Sequence, residues 1–169
     1  MLKPKENKIK KTNAARILDK HKIHYETLEY RVDEADLSAL HVARDVNTDI
    51  KIIFKTLVTV DEKNRPIVAC IPGDDELDLK ALAHAAEVKK CTMIPLKDIL
   101  KTTGYIRGGC SPVGMKKVYR TFIHKSALSH GRIFVSAGVR GQQLLVAPKD
   151  LEKVLELKFE DIVHAAHIS

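Results

Sequence analysis

Two neighbouring apolar runs constrain the fold of this chain more than any other feature of its sequence. Residues 51–60 (KIIFKTLVTV) are dominated by branched side chains, which favour strands, and residues 66–71 form a second run of the same kind. The intervening DEKNR supplies a polar turn. The sequence therefore predicts two strands joined by this turn, the first of which is the clearest strand in the chain.

Short helices and further short strands are predicted on both sides of this pair. Thr12, Ser38 and Asp78 are suited to cap helices, and Pro148 is suited to open a helix that runs to about Leu155. Further strands are predicted at residues 25–32, 91–94, 118–124, 133–137 and 142–147. This alternation predicts an α+β domain with a mixed, mostly antiparallel sheet of six or seven strands, curled into a partial barrel and flanked by short helices.

Length and charge predict one domain with a basic extension. The 169 residues are most simply a single domain over residues 12–169, preceded by a tail over residues 1–11 that contains five lysines. The net charge of +7 favours a polyanionic partner, although a lysine-rich tail is also expected to be merely solvated. Without the tail the charge is modest, so the protein does not coat nucleic acid by charge alone.

Several common kinds of site are not indicated by the sequence. The cysteines Cys70, Cys91 and Cys110 and the eight histidines form no metal-binding spacing, so we expect no metal. The phosphate-binding patterns GxxxxGK[ST] and GxGxxG and the serine motif GxSxG are missing, and no cofactor is expected. No apolar run reaches the length of a membrane span, and three unpaired cysteines suit a reducing compartment. We therefore expect a cytoplasmic protein without a membrane partner.

A glycine-rich stretch over residues 103–117 (TGYIRGGCSPVGMKK) is the first candidate for chemistry. It holds four of the eight glycines, and glycine lets other atoms approach the backbone closely. Backbone N–H groups exposed in this way can face a phosphate, a carboxyl group or a developing oxyanion. Composition alone leaves a second interpretation open, in which the stretch is a wide connection between strands.

Lys55 is the second candidate, because a charged residue interrupts the most apolar strand. By two-residue alternation it lies on the same side as Ile53 and Leu57. A buried ammonium without a partner costs several kcal/mol, so such a lysine usually has a use. The other interpretation is an edge strand whose lysine faces water and prevents aggregation.

Four motifs, in this order and spacing, resemble the YbaK-type aminoacyl-tRNA deacylases. The motifs are FKTLV (54–58), GDDELDLK (73–80), TGYIRGGCSPVGMKK (103–117) and VSAGVRGQQLLVAPKDL (135–151). These deacylases are free-standing relatives of the editing domain inserted in bacterial prolyl-tRNA synthetase. The resemblance covers essentially the whole chain, and it implies an enzyme that cleaves the ester of a mischarged aminoacyl-tRNA.

The resemblance also implies a set of site residues. Lys55 matches the strand lysine that the family needs for deacylation. The residues implied to line the pocket for the aminoacyl end of the tRNA are Tyr30, Gly108, Gly109, Cys110, Ser111, Pro112, Ser136 and Gly138. Two positions depart from the family pattern: Cys110 replaces an aliphatic residue, and Gln143 stands where some members carry an acidic residue, which puts any role for a carboxylate there in doubt.

An aminoacyl ester is already activated, which agrees with the absence of a metal or serine motif. Donors aimed at the carbonyl oxygen are needed instead, and the N–H groups of the Gly108-Gly109 segment suit that task. Lys55 is expected to position the substrate rather than act as a base, because a base would require a much lower pKa.

The family resemblance implies cysteinyl-tRNA, above all tRNA for proline mischarged with cysteine, as the substrate. It further implies attack by the substrate's own thiol, which closes a thiolactone, and prolyl-tRNA synthetase as a transient partner. Cys110 as a protein nucleophile is a further hypothesis. The alternatives for the whole protein are an alanyl-tRNA(Pro) deacylase of the same superfamily and a tRNA-binding module without catalysis.

Overall fold

Three of the four α-helices in the described part of the chain begin at the residues that the sequence predicts. In the computed structural model, which describes residues 10–165, the side chains of Thr12, Ser38 and Asp78 each accept a hydrogen bond from a backbone N–H three residues later, at 3.2, 3.3 and 3.0 Å. The helices are α1 (Asn13–Lys20), α2 (Ala39–Asp45), α3 (Leu79–Ala86) and α4 (Ile99–Thr103). Residues 1–9 of the predicted basic tail lie outside the described residues.

Eight strands in the described residues form two sheets rather than one. They are β1 (Tyr25–Glu29), β2 (Phe54–Asp61), β3 (Pro66–Pro72), β4 (Cys91–Met93), β5 (Arg120–His124), β6 (Ile133–Ser136), β7 (Gln142–Val146) and β8 (Glu156–Glu160). One sheet has the order β1-β7-β6 and is antiparallel throughout. The other has the order β4-β2-β3-β5-β8, in which β5 pairs in parallel with both β3 and β8.

The two sheets meet at the start of β2. Ile53, the residue before β2, makes a parallel bridge to Phe134 in β6. Both residues are buried and pack with Val42 and Ala43 of α2, which therefore covers the junction. This arrangement places the beginning of α2, the first half of β2 and the end of β6 beside one another.

The central strand β3 is buried on both faces, as expected for a strand that other layers cover on each side. Val68 and Cys70 face a core shared with the three-stranded sheet and α1. Ile67, Ala69 and Ile71 face a second core beneath α3. The lysine-bearing strand β2 is thus held by β3 along its length, and its position is set by the interior of the protein.

The α+β class, the single domain and the short helices are confirmed, whereas the prediction of one sheet with six or seven strands was wrong. The strands divide into sheets of three and five, and the described residues form no closed barrel. The predicted helix after Pro148 is a 3₁₀ helix over Pro148–Lys153, followed directly by the unpredicted strand β8. The sequence of β8, ELKFE, carries three charged residues in five and therefore lacks an obvious strand pattern. Within residues 10–165, no helix is both long and apolar enough to cross a bilayer.

Candidate functional site

A cavity of about 470 Å³ opens where the two sheets meet α2. Four segments form most of its walls: the start of α2, the first half of β2, residues 93–99 and the loop 107–110. Tyr30, Gly73, Ser136 and Gln143 complete the lining. Its volume lies within the range of small-molecule sites, roughly 300–1,000 Å³. The polar side chains that line it are those of Tyr30, Ser38, Lys55, Thr56, Arg107, Cys110, Ser136 and Gln143.

Lys55 extends into this cavity from β2 and is half-buried. Its Nζ donates a hydrogen bond to the carbonyl oxygen of Gly73, 3.2 Å away, at the end of the neighbouring strand. Burial lowers the pKa of Lys55 from its ordinary value of 10.5, and the negative charges of Asp75, Asp74 and Glu76 oppose that shift. At Lys55, β2 pairs with β3 on one side only, because its pairing with β4 is confined to residues 59–61. The strand is therefore locally an edge, but its lysine is half-buried and lines the cavity.

The glycine-rich stretch contributes Arg107, Gly108 and Cys110 to the cavity wall, so it shares the cavity with Lys55. Gly108 has φ +81°, a left-handed conformation that glycine adopts without strain. Within residues 10–165 its N–H has no hydrogen-bond acceptor, and it is therefore available to a ligand.

Gly109, Ser111 and Pro112 of the same stretch lie outside the cavity lining. The N–H of Gly109 donates to the carbonyl oxygen of Ile106 at 2.9 Å, so the expectation that it is a free donor was wrong. Ser111 and Pro112 are buried, and the Oγ of Ser111 accepts a hydrogen bond from the Val113 N–H at 3.2 Å. None of these three is among the residues that line the cavity.

The turn between β6 and β7 holds the glycine loop in place. The guanidinium of Arg140 donates two hydrogen bonds to the carbonyl oxygen of Arg107, at 2.9 and 2.7 Å. A Cβ on Gly109 would lie 3.3 Å from the backbone nitrogen of Arg140, which shows how closely the two segments approach. Gly109 therefore has a packing role at this contact.

The remaining predicted site residues lie on or near the three-stranded sheet. Tyr30 follows β1, lines the cavity and donates its N–H to the carbonyl oxygen of Gly141 at 2.9 Å. Ser136 ends β6 and also lines the cavity, and its Oγ accepts a hydrogen bond from the Gly138 N–H at 3.1 Å. Gly138 itself does not line the cavity: a Cβ there would lie 2.8 Å from the Tyr105 ring, so this glycine makes room for the tyrosine.

Sequence reasoning missed Arg107, Ser38 and Thr56 as lining residues. Arg107 stands inside the TGYIRGG motif, and its charge was a signal that could have identified it. Ser38 was interpreted only as the cap of α2, although the same residue faces the cavity. Gln143 was noted only as a departure from the family, yet its Oε1 is buried without a hydrogen-bond partner in the described residues.

The cavity offers little conventional catalytic chemistry. Among its lining residues in the described part of the chain there is no aspartate, glutamate or histidine. Cys110 donates its S–H to the carbonyl oxygen of Ile106 at 3.6 Å, and burial raises the pKa of its thiol, which disfavours the reactive thiolate. Across residues 10–165, no three His, Cys, Asp or Glu side chains are grouped to hold a metal ion.

Comparisons with known proteins show which family and which fold this chain shares. The chain is 48% identical over 152 residues to the Enterococcus faecalis protein named "Putative Cys-tRNA(Pro)/Cys-tRNA(Cys) deacylase EbsC", covering 90% of this chain and 93% of that protein. A crystal structure described as "a putative trans-editing enzyme for prolyl tRNA synthetase" shares the fold, with a TM-score of 0.77, 20% identity, and coverage of 91% of this chain and 99% of the other.

A protein scaffold from work on the computational grafting of epitopes has the same fold, with a TM-score of 0.79 at 19% identity; 92% of this chain and 99% of the scaffold are covered. The sequence profile described as "Aminoacyl-tRNA editing domain" matches residues 32–154, which contain every predicted site residue except Tyr30. The chain belongs to the aminoacyl-tRNA editing domain family.

Proposed function

We propose that this protein is a free-standing editing enzyme that deacylates mischarged tRNA, with Cys-tRNA(Pro), and also Cys-tRNA(Cys), as its substrate. Membership of the editing family supports the reaction, and the similarity to EbsC supports the substrate. The observation that carries the proposal is the cavity itself, because Lys55 and the loop residues Gly108 and Cys110 line it together. An ester that enters this cavity meets a cation on one strand and a free backbone donor on the loop.

Lys55 acts in this proposal as a positioning and electrostatic residue. Its hydrogen bond to the Gly73 carbonyl holds the ammonium at the cavity wall, where it can attract a phosphate or a developing negative charge. A half-buried charge acts more strongly than a solvated one, because less water screens it. The same charge stabilises the oxyanion that forms when the ester carbonyl is attacked.

The N–H of Gly108 is the proposed backbone donor to that oxyanion. It is free in the described residues, and a preorganised donor of this kind is typically worth about 3–4 kcal/mol in the transition state. The neighbouring Gly109 N–H is already bonded to Ile106 and does not take this role. One loop donor and one lysine therefore replace the pair of glycine donors that the sequence suggested.

The nucleophile is proposed to be the thiol of the substrate. Its sulfur attacks the carbonyl carbon of its own ester, a carbon–sulfur bond forms, and the carbon–oxygen bond to the ribose breaks. The thiol proton passes to the departing ribose oxygen, so the products are free tRNA and a thiolactone, which water then opens to cysteine. Because no carboxylate or histidine lines the cavity in the described residues, this route requires no protein base that the site does not supply.

Substrate-assisted attack also explains how a small pocket can choose its amino acid. One methylene changes binding by only about 1–3 kcal/mol, so size separates cysteine poorly from alanine or serine. Alanine has no thiol and cannot form the thiolactone. We also propose that the editing domain extends over residues 12–169 and that prolyl-tRNA synthetase is a transient partner.

A competition assay tests the proposal. A mixture of cysteinyl- and alanyl-tRNA(Pro) is incubated with the protein, ester loss is followed for each, and the released amino acid is trapped and analysed for a thiolactone. Preferential loss of the cysteinyl ester with a trapped thiolactone is expected. Preferential loss of the alanyl ester would instead identify an alanyl-tRNA deacylase, and tight tRNA binding without ester loss would identify a binding module.

A further inference from the structure

A buried oxygen in the cavity wall has no partner in the protein. Gln143 belongs to β7, lines the cavity and is 6% exposed. Its carboxamide oxygen, Oε1, is buried and accepts no hydrogen bond from residues 10–165. Buried polar atoms in native proteins are nearly always bonded, and an unbonded one destabilises the free protein. Because the Gln143 side chain lines the cavity, a rotation of its carboxamide would turn this oxygen toward a ligand that supplies the missing donor.

The neighbours of Gln143 show that it belongs to a buried surface of the sheet. It lies directly opposite Ser136 of β6, which is 8% exposed and lines the same cavity. The next pair on this face is Phe134 and Leu145, which pack with α2 in an apolar cluster. The Oγ of Ser136 already accepts the Gly138 N–H, so the Gln143 oxygen is the unused acceptor of the pair.

The charge of the cavity restricts the kind of donor that suits this oxygen. The charged side chains that line the cavity are Lys55 and Arg107, both basic, and no carboxylate lines it in the described residues. A protonated amine would therefore meet two positive charges and no negative one. An uncharged N–H or O–H group can bond to a carboxamide oxygen without that repulsion.

We propose that Gln143 is a specificity-determining residue whose Oε1 accepts a hydrogen bond from an uncharged N–H or O–H group at the aminoacyl-ribose end of the substrate. The inference rests on the proposed function, because that function supplies the ligand. An aminoacyl-tRNA offers two such groups: the neutral form of the α-amino group and the free hydroxyl beside the ester on the terminal ribose. A site built to bond a polar group rejects analogues that lack it.

Replacement of Gln143 by methionine separates this role from a structural one. Q143M removes an unbonded buried oxygen, so the melting temperature of the free protein should stay the same or rise. The kcat/KM for cysteinyl-tRNA should fall by about 10- to 100-fold, because the substrate donor is left unpaired. Gln142→Met is the matched control: Gln142 adjoins Gln143 in β7, and its Nε2 donates to the Lys10 carbonyl oxygen at 3.3 Å, outside the cavity.

A second variant, Q143L, guards against an effect peculiar to methionine. Lower melting temperatures in both Q143M and Q143L would show that the oxygen is already bonded in the free protein, and would overturn the inference. An unchanged kcat/KM in Q143M would also overturn it, and would leave the proposed function intact. A wild-type protein inactive on cysteinyl-tRNA would instead refute the proposed function.

Two substrate analogues identify the donor. 3-Mercaptopropionyl-tRNA keeps the thiol and lacks the α-amino group, and cysteinyl-tRNA ending in 2′-deoxyadenosine lacks the free ribose hydroxyl. Equal kcat/KM values for wild type and Q143M with the first analogue would identify the amine, and with the second the hydroxyl. If Q143M is slower by the same factor with all three substrates, Gln143 makes no direct bond to either group and the inference is wrong.

Discussion

The guanidinium of Arg140 donates two hydrogen bonds to the carbonyl oxygen of Arg107, at 2.9 and 2.7 Å. The bonds join the turn between β6 and β7 to the glycine-rich loop, across 33 residues of sequence. Arg107, Gly108 and Cys110 all line the cavity, so the position of this wall depends on a contact made outside it. The two-pronged geometry of a guanidinium is suited to fixing the direction as well as the distance of the loop.

Arg140→Ala is expected to lower kcat/KM for deacylation by roughly tenfold, because even a small displacement of the loop 107–110 would misplace the bound substrate. Arg132→Ala is the control: this arginine makes an exposed ion pair with Glu26, at 2.6 Å, and such pairs contribute at most about 1 kcal/mol to stability. Kinetics and thermal unfolding are measured on both. Equal kinetics in the two variants would show that the Arg140 contact does not position the loop.

Gly108→Ala should impair the enzyme more than it destabilises the fold. At φ +81° an alanine costs roughly 1–2 kcal/mol, and its Cβ would lie 3.3 Å from both Arg140 Nε and Leu37 Cδ1. The loop then shifts, and the N–H proposed as the oxyanion donor shifts with it. Gly131→Ala is the matched control, since a Cβ there has no neighbour within 4 Å. A kcat equal to that of the control would contradict the donor role.

Cys110→Ala should leave deacylation of cysteinyl-tRNA close to the wild-type rate. The raised pKa of the Cys110 thiol keeps it protonated near neutral pH, and the proposed nucleophile is the substrate's sulfur. Loss of a covalent nucleophile would reduce kcat by several orders of magnitude. Single-turnover kinetics on the variant decide the matter, and a collapse of the rate would identify Cys110 as the nucleophile.

Lys55→Met should stabilise the protein at neutral pH. Burial lowers the folded-state pKa of Lys55 below 10.5, so the unfolded chain binds more protons between these two pKa values. The free energy of unfolding of the wild type therefore rises with pH through this window. The difference in unfolding free energy that favours K55M shrinks toward zero. Free energies of unfolding by urea at neutral pH and near pH 10 measure the trend.

Lys51→Met is the control for that trend, because the pKa of Lys51 shifts in the opposite direction. The hydrogen bond to Asp74, at 2.7 Å, raises it above 10.5. Any stability that this lysine contributes is present below 10.5 and lost as pH rises through the raised value. If the difference in unfolding free energy that favours K55M instead grew with pH, the lowered pKa of Lys55 would be contradicted.

Local signals predicted much of the fold and part of the site. Thr12, Ser38 and Asp78 each bond to a backbone N–H within the helix that they cap, so the signal is local in sequence. The branched run around Lys55 likewise indicates a strand from its own residues alone. The motif order then indicated which distant residues share a pocket, and Lys55, Tyr30, Gly108, Cys110 and Ser136 do line one cavity.

Contacts between distant segments were beyond sequence reasoning. The charged residues of β8 gave no strand pattern, and this strand is recognised only through its pairing with β5. The hydrogen bonds from Arg140 to the Arg107 carbonyl oxygen join residues that are 33 positions apart in the sequence. The N–H of Gly109 is bonded because the loop folds back on Ile106. The unpartnered oxygen of Gln143 is visible only when all its neighbours are in place.

The most direct test of the account follows ester loss from cysteinyl-tRNA(Pro) with wild-type protein and the Lys55→Ala variant. Lys51→Ala, which removes an exposed lysine near the same strand, is the control. Rapid ester loss is predicted for wild type and K51A, and a rate lower by roughly 100- to 1,000-fold for K55A in a protein that remains folded. Equal rates for folded K55A and wild type would contradict the central claim that this cavity cleaves the ester.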